Sequence, residues 1–392
     1  MSEIDTIWVL FATALVFLMT MPGLALFYGG MVRARNVVSV IMQCYAVACL
    51  TAVLWYVAGY SIAYGDTSPY WGGIGKVFLT GVSIDSLVGT LPETLFFAFQ
   101  MTFAIITPVI IIGSCVERTK FGFILLFSGL WMLLVYAPVT HWVWGGGILS
   151  DGGLFGDIGV KDYAGGLVVH QTAGITGLIL ALVIGPRAVR KNGMHNPGMV
   201  MMGAAMLWVG WLGFTGGSEL AVNPRTALTI TVTLLAAASA SLTWLLWEFV
   251  KFRKFTLVGM VTGTLSGLAA ISPAAGYVGP EFAVLIGVVA GIMCQEAVYL
   301  LRDKFGIDDS LDVFAVHGVG GMYGSLMIVA LGVAPPMAQL GGMAIVAGYT
   351  IVVSLILVFF CKGVTGTRVN GQTEEQGLDA VVHNQPGYDL TS

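Results

Sequence analysis

The sequence predicts an all-α polytopic membrane protein of eleven transmembrane helices, an inverted 5+5 repeat plus an eleventh helix, with the N-terminus outside and the C-terminus inside. Three observations predict it. Of 392 residues 57% are hydrophobic and only 10% charged, and the mean hydropathy is +0.89, outside the range of soluble domains. Eleven apolar stretches have the length, about 20 residues, that crosses hydrocarbon as a helix. Of the 17 Lys and Arg, all but Lys76, Lys161 and Arg225 fall in alternate connections and the tail, which makes those the cytoplasmic ones.

In order, the stretches run Asp5 to Val32, Val37 to Tyr64, Thr94 to Val116, Phe121 to Val143, Tyr163 to Ile184, Gly198 to Gly217, Thr226 to Val250, Thr256 to Ile271, Ala283 to Leu301, Leu311 to Val333 and Ala338 to Cys361. The first follows Glu3 and Asp5, with no basic region before it, and is expected to be retained. An even number of spans would spoil the charge split. The connections Gly65 to Glu93 and Trp144 to Asp162 are long and lie outside; the second, with Asp151, Asp157 and Asp162, reads as a vestibule wall. Residues 1–363 form one membrane domain, and 364–392 a polar cytosolic tail with Glu374, Glu375, Asp379 and Asp389, either disordered or packed on the inner loops, where Arg187, Arg190 and Lys191 offer charge complementary to Glu374, Glu375 and Asp379.

Cys44, Cys49, Cys115, Cys294 and Cys361 fall within or at the ends of these stretches and are expected as buried small hydrophobes, with no disulfide or metal framework. The 53 glycines imply close helix packing. Two phrases recur five stretches apart. Phe27-Tyr28-Gly29-Gly30 in the first answers Phe214-Thr215-Gly216-Gly217 in the sixth. Val169-His170-x-x-x-Gly174-x-x-Gly177 in the fifth answers Val316-His317-x-x-x-Gly321-x-x-Gly324 in the tenth. An odd number of spans per unit inverts the second copy, and such repeats set the substrate path at their interface. Two ionisable side chains in hydrocarbon are costly and mark a functional site unless they only lock two helices together.

The densest motif is Asp162-Tyr163-Ala164-Gly165-Gly166-Leu167-Val168-Val169-His170, continuing to Gly185-Pro186-Arg187. It is supported by Pro22 to Gly30, Phe99 to Phe103, His141 to Gly147, Gly210 to Ser218 and Asp312 to Gly318. In these the chain resembles the ammonium transporter family of prokaryotic Amt, fungal MEP and animal Rh proteins, over nearly its whole length and in order. The resemblance implies an eleven-helix protomer, a homotrimer with a pore in each protomer, and location in the cell membrane amid its lipid. It implies selective ammonium transport, with methylammonium as an analogue, no enzymatic activity, no cofactor or metal, and no nucleic-acid partner. By match to the family motifs, His170 and His317 are twin pore histidines; Trp144, Phe103 and Ser218 recruit ammonium; and Phe103 and Phe214 form a gate. Asp162 is a vestibule carboxylate, and Leu24, Trp211 and Val313 line the pore. Thr215 departs from the Asn many relatives carry, which bears on affinity.

Residue chemistry supplies a rival for each role. Trp144 is equally an interfacial anchor. Ser218 can bond the backbone one turn back. Asp162 and Asp312 each stand where they can cap a helix, an interaction worth about 1 kcal/mol. For Asp162 capping and a negative potential for a nearby cation go together, and Asp312 is mainly structural. Ammonium, unlike potassium, can surrender a proton, so deprotonation outside, NH3 passage and a proton relay through the histidines give selectivity. Electrogenic transport and passive NH3 conduction both fit. The alternatives are an ammonium sensor signalling through the tail, whose Glu374 to Asp379 resembles the family's cytosolic tail and its role with PII-type regulators, and a metal-dependent membrane enzyme using the two histidines and a carboxylate.

Overall fold

A computed structural model describes residues 1–189 and 194–388. In hydrocarbon every backbone N–H and C=O must be satisfied within the chain, and helices do so locally. The helices are α1 (Glu3–Met31), α2 (Val37–Tyr64), α3 (Glu93–Ile112), α4 (Phe121–Trp144), α5 (Gly166–Ile184), α6 (Pro197–Gly217), α7 (Pro224–Phe252), α8 (Leu257–Ile271), α9 (Pro280–Lys304), α10 (Phe314–Ala330) and α11 (Pro336–Thr365). Nine of these, among the described residues, are long and apolar enough to cross a membrane; α8 and α10 are shorter apolar helices. Proline opens α6, α7, α9 and α11, where its missing N–H costs nothing. Two short helices, α12 (Gly371–Gln376) and α13 (Leu378–His383), follow in the tail.

The connections sort onto two faces. On one, the backbone N–H of Ser2 donates to the carbonyl of Thr90 (2.9 Å), and Asp5 accepts from Thr90 and from the backbone of Val222 (both 2.8 Å). On the other, the tail meets the α1–α2, α3–α4 and α5–α6 connections through Asn36, Arg118 and Ala188. The basic residues Arg33, Arg118 and Arg187 are on this tail face.

The repeated histidine phrases have a packing reason. A Cβ added at Gly174 would collide with the backbone of Gly318, and one at Gly321 would lie 2.6 Å from Cβ of His170. The glycine four residues after each histidine is therefore where α5 and α10 come close enough for the rings to meet. Cys44, Cys115, Cys294 and Cys361 are buried as expected, but Cys49 is exposed on the outer surface of α2, where lipid solvates a small apolar side chain as well as protein does.

Candidate functional site

Both histidines lie in π-helical turns, Gly166–Gln171 opening α5 and Phe314–Gly318 opening α10. Such turns loosen the i→i−4 ladder and re-aim side chains. Each needs an anchored start. Asp162 supplies one: its carboxylate accepts four backbone N–H groups, from Gly165 (2.9 Å), Gly166 (2.6 Å), Leu167 (2.8 Å) and Val168 (3.0 Å). The chain can turn there because Gly165 is left-handed, φ +96°. Both Asp162 oxygens are thus committed to the backbone, and its own carbonyl receives the Trp144 indole N–H at 2.7 Å.

For α10 the capping acid is Asp309 and not Asp312. Asp309 accepts from the N–H of Phe314 (2.7 Å), while Asp312 occupies the left-handed turn, φ +58°, and pairs with Arg302 at 2.7 Å. Asp309 precedes His317 by eight residues, as Asp162 precedes His170, and the left-handed residue follows each acid by three. The signal was present in the sequence as that shared offset. Burial, and next the charge of Asp312, push the Asp309 carboxyl up to about 7, against the pull of backbone N–H groups and Arg118.

The two histidines meet Nδ1 to Nδ1 at 3.2 Å, their planes 22° apart, both buried. Trp211 lies parallel to His170 with ring centroids 5.4 Å apart. On the side toward the N-terminal face, Phe103 and Phe214 stack at 4.3 Å and 18°, fully buried. Trp144 meets Phe103 edge-on at 6.0 Å. The Ser218 hydroxyl donates one turn back to the carbonyl of Phe214 (2.8 Å), so its oxygen lone pairs are what it can offer a donor. Thr215 bonds the Trp211 carbonyl and the Thr233 hydroxyl, joining α6 to α7.

On the tail side of the pair lies a narrow, mostly apolar cavity lined by Leu24, Trp211, Val316 and His317 among others, beyond which a wider charged cleft opens between α7, α9 and the 307–312 loop. Val313 is not among the residues lining that cavity. Its methyls fill the space over Gly113 and Gly177, because the turn that begins α10 points it toward α3 and α5. Among the described residues no three His, Cys, Asp or Glu side chains gather as metal ligands.

The tail is docked. Glu374, 1% exposed, accepts from Arg368 and from the backbone N–H of Ala188 (2.9 Å), while its carbonyl receives Arg33 (2.6 Å). Asp379 accepts the N–H groups of Val38 and Ser39 at the start of α2, and Asn36 receives that of Leu378. The expected charge match to Arg187 is corrected: Arg187 turns inward to the buried carboxylates Glu117 (2.6 Å) and Asp308 (2.8 Å), while the tail acids Glu374 and Asp379, also buried, are held by Arg368 and by backbone N–H groups. Glu375 is exposed. Arg190, Lys191 and Asp389 lie outside the described residues. Arg118, which the sequence presents as a loop charge, is fully buried and donates to carbonyls of Ser114 and Asp308, tying two tail-face loops together.

Stacked aromatic rings over paired histidines, on two helices that carry copies of one motif, form the candidate site, and the chain that builds it has counterparts among known proteins. The model of the Ammonium Transporter Family matches residues 7–388. The chain belongs to the ammonium transporter family. A putative ammonium transporter of Methanothermobacter thermautotrophicus is 41% identical, covering 99% of this chain and 98% of that one. The ammonium transporter of Bacillus subtilis is 38% identical, covering 98% of each. Among solved structures, a sensor Amt protein superposes with a TM-score of 0.89 at 28% identity, covering 97% of this chain and 98% of that one. Candida albicans Mep2 superposes with a TM-score of 0.85 at 31% identity, covering 95% and 87%. As a member of the ammonium transporter family with nine membrane-length helices among its described residues, the chain is a multi-pass transport protein of the cell membrane.

Proposed function

We propose that this protein carries ammonium into the cell by stripping a proton outside, passing NH3 through a gated apolar pore and relaying the proton through His170 and His317. The observation that carries this is the 3.2 Å Nδ1 to Nδ1 contact beneath stacked Phe rings. Two neutral imidazoles sharing one proton still hold one open nitrogen, and desolvation disfavours a bare cation between them. The Trp144 ring and the Ser218 lone pairs form an outer site for NH4+, in which Phe103 contributes its edge, and Asp162 holds Trp144 in place. Phe103 and Phe214 exclude hydrated ions. Leu24 and Trp211 line the exit.

In this reading all eleven helices span, α8 and α10 included, with the N-terminus outside and the tail face inside, where the basic connections lie. Residues 1–363 are the membrane domain and 364–392 the tail. The working unit is a homotrimer, and the docked tail offers a surface for a PII-type regulator. Ammonium-dependent current in liposomes containing the purified protein, undiminished by excess potassium, is the expected result. A potassium current of equal size sinks the proposal.

The buried docking of Glu374 and Asp379 favours a second reading, an ammonium sensor signalling through the tail. A sensor gives ammonium binding with no flux.

A further inference from the structure

The proton inventory around Ser272 fixes which nitrogen of each histidine is protonated. Ser272 ends α8, and its side-chain oxygen has three neighbours: the carbonyl of Leu268 at 2.8 Å, the indole N–H of Trp211 at 2.9 Å and Nε2 of His170 at 3.3 Å. A hydroxyl has one proton and two lone pairs. The Leu268 carbonyl only accepts, and the Trp211 N–H only donates. The hydroxyl proton goes to the shorter contact with the carbonyl, one helical turn back, as serine does inside helices. One lone pair takes Trp211, and the other is left for His170, which must then donate.

We infer that Ser272 holds His170 as its Nε2–H tautomer, so that Nδ1 of His170 accepts from Nδ1–H of His317 and the bare nitrogen of the pair is Nε2 of His317. This rests on reading the pair as the proton-handling site. The two contacts agree: a neutral His170 donating through Nε2 has only a lone pair at Nδ1, and 3.2 Å between two Nδ1 atoms requires one proton between them, which His317 then supplies. His317, unlike His170, lines the narrow cavity on the tail side, so the ring that carries the bare nitrogen borders that cavity. Ser272 is a positioning residue, acting on substrate through His170. A molecule of NH3 beyond the rings finds a lone pair on His317 to receive one of its N–H groups, while the outer ring presents none. The pair is thereby asymmetric although the repeat that builds it is not.

Solid-state 15N NMR of the full protein in lipid bilayers, with the histidines labelled and assigned, tests this directly. The expected spectrum has the protonated nitrogen of His170 at Nε2 and that of His317 at Nδ1. Ser272→Thr keeps this order and Ser272→Ala loses it, giving mixed or reversed tautomers. A parent spectrum with the His170 proton on Nδ1 overturns the inference, as does a folded Ser272→Ala protein with unchanged tautomers. If Ser272→Ala does not fold, the parent spectrum decides alone. The readout is separate from flux: were the histidines dispensable for transport, the relay would fall and the tautomer assignment would stand.

Discussion

The indole N–H of Trp144 donates to the backbone carbonyl of Asp162, at 2.7 Å, and so ties the end of α4 to the turn that begins α5. The same Asp162 carboxylate gathers four N–H groups of that turn, which ends in His170. The ring at the mouth and the histidine in the interior are thus set by one residue. Replacing Asp162 by Ala removes an anchor worth about 1 kcal/mol or more as a cap, while Asp162→Asn keeps one accepting oxygen. Ala should therefore damage both the yield of folded protein and transport, and Asn transport less. Equal loss in both, with intact assembly, would assign the residue a charge role instead.

Trp144→Leu should lower apparent ammonium and methylammonium affinity by about thirtyfold, the fall expected when about 2 kcal/mol of cation–π attraction is lost. Trp144→Phe separates the two parts of this residue. It keeps a π face and drops the bond to Asp162, so its affinity should fall between those of Leu and Trp. Concentration dependence of flux in liposomes measures all three. No change with Leu returns Trp144 to the role of an interfacial anchor.

Replacing His170 and His317 together by apolar residues should abolish selective ammonium flux, since the shared proton and the lone pair of His317 vanish together. Close packing survives, because the approach of α5 to α10 depends on Gly174 and Gly321. A double variant carrying ammonium at the parent rate and selectivity ends the relay proposal.

Asp309 gives a pH-dependent prediction. Its carboxyl is pushed up to about 7 from 3.8 by burial and by Asp312, with Arg118 on the opposing side and the Cys115 thiol and Tyr28 hydroxyl as its other ionisable neighbours. A carboxyl raised on folding contributes stability that is full below its unfolded value and is lost as pH rises through the folded one. The parent should thus lose thermal stability between about pH 4 and about pH 7 relative to Asp309→Asn, which keeps an acceptor for the Phe314 N–H but does not ionise. Parallel pH dependence of the two melting temperatures would show that Asp309 ionises freely.

Much of this arrangement is legible in the sequence because hydrocarbon allows few alternatives. Apolar length gave the helices, and the paired phrases around His170 and His317 marked where they converge. What sequence left out depends on direction and on competition. Val313 belongs to a matched phrase, yet the turn before α10 aims it at Gly113 and Gly177. Arg187 carries the right charge for the tail but is claimed by Glu117 and Asp308. Ser272 lies in no motif and is isolated in the sequence; only its three neighbours give it a role.

Truncation after Thr367 tests the tail. It removes Glu374 together with its partner Arg368, so no buried charge is orphaned within that pair. What remains uncapped, the Val38 and Ser39 N–H groups and the Arg33 guanidinium, becomes exposed to water, which satisfies them at small cost. The assembly seen by size exclusion should therefore persist while transport, or its response to a PII-type partner, falls. The single substitution Glu374→Ala should be worse for stability than the truncation, because it strands Arg368 and the Ala188 N–H beneath a tail that stays in place. Breaking one side of a buried pair costs about 3 to 5 kcal/mol, and the partial exposure of Arg368 puts this one at the lower end. If the truncated protein is less stable than Glu374→Ala, the tail holds the bundle together through its apolar contacts and is a structural part of the fold.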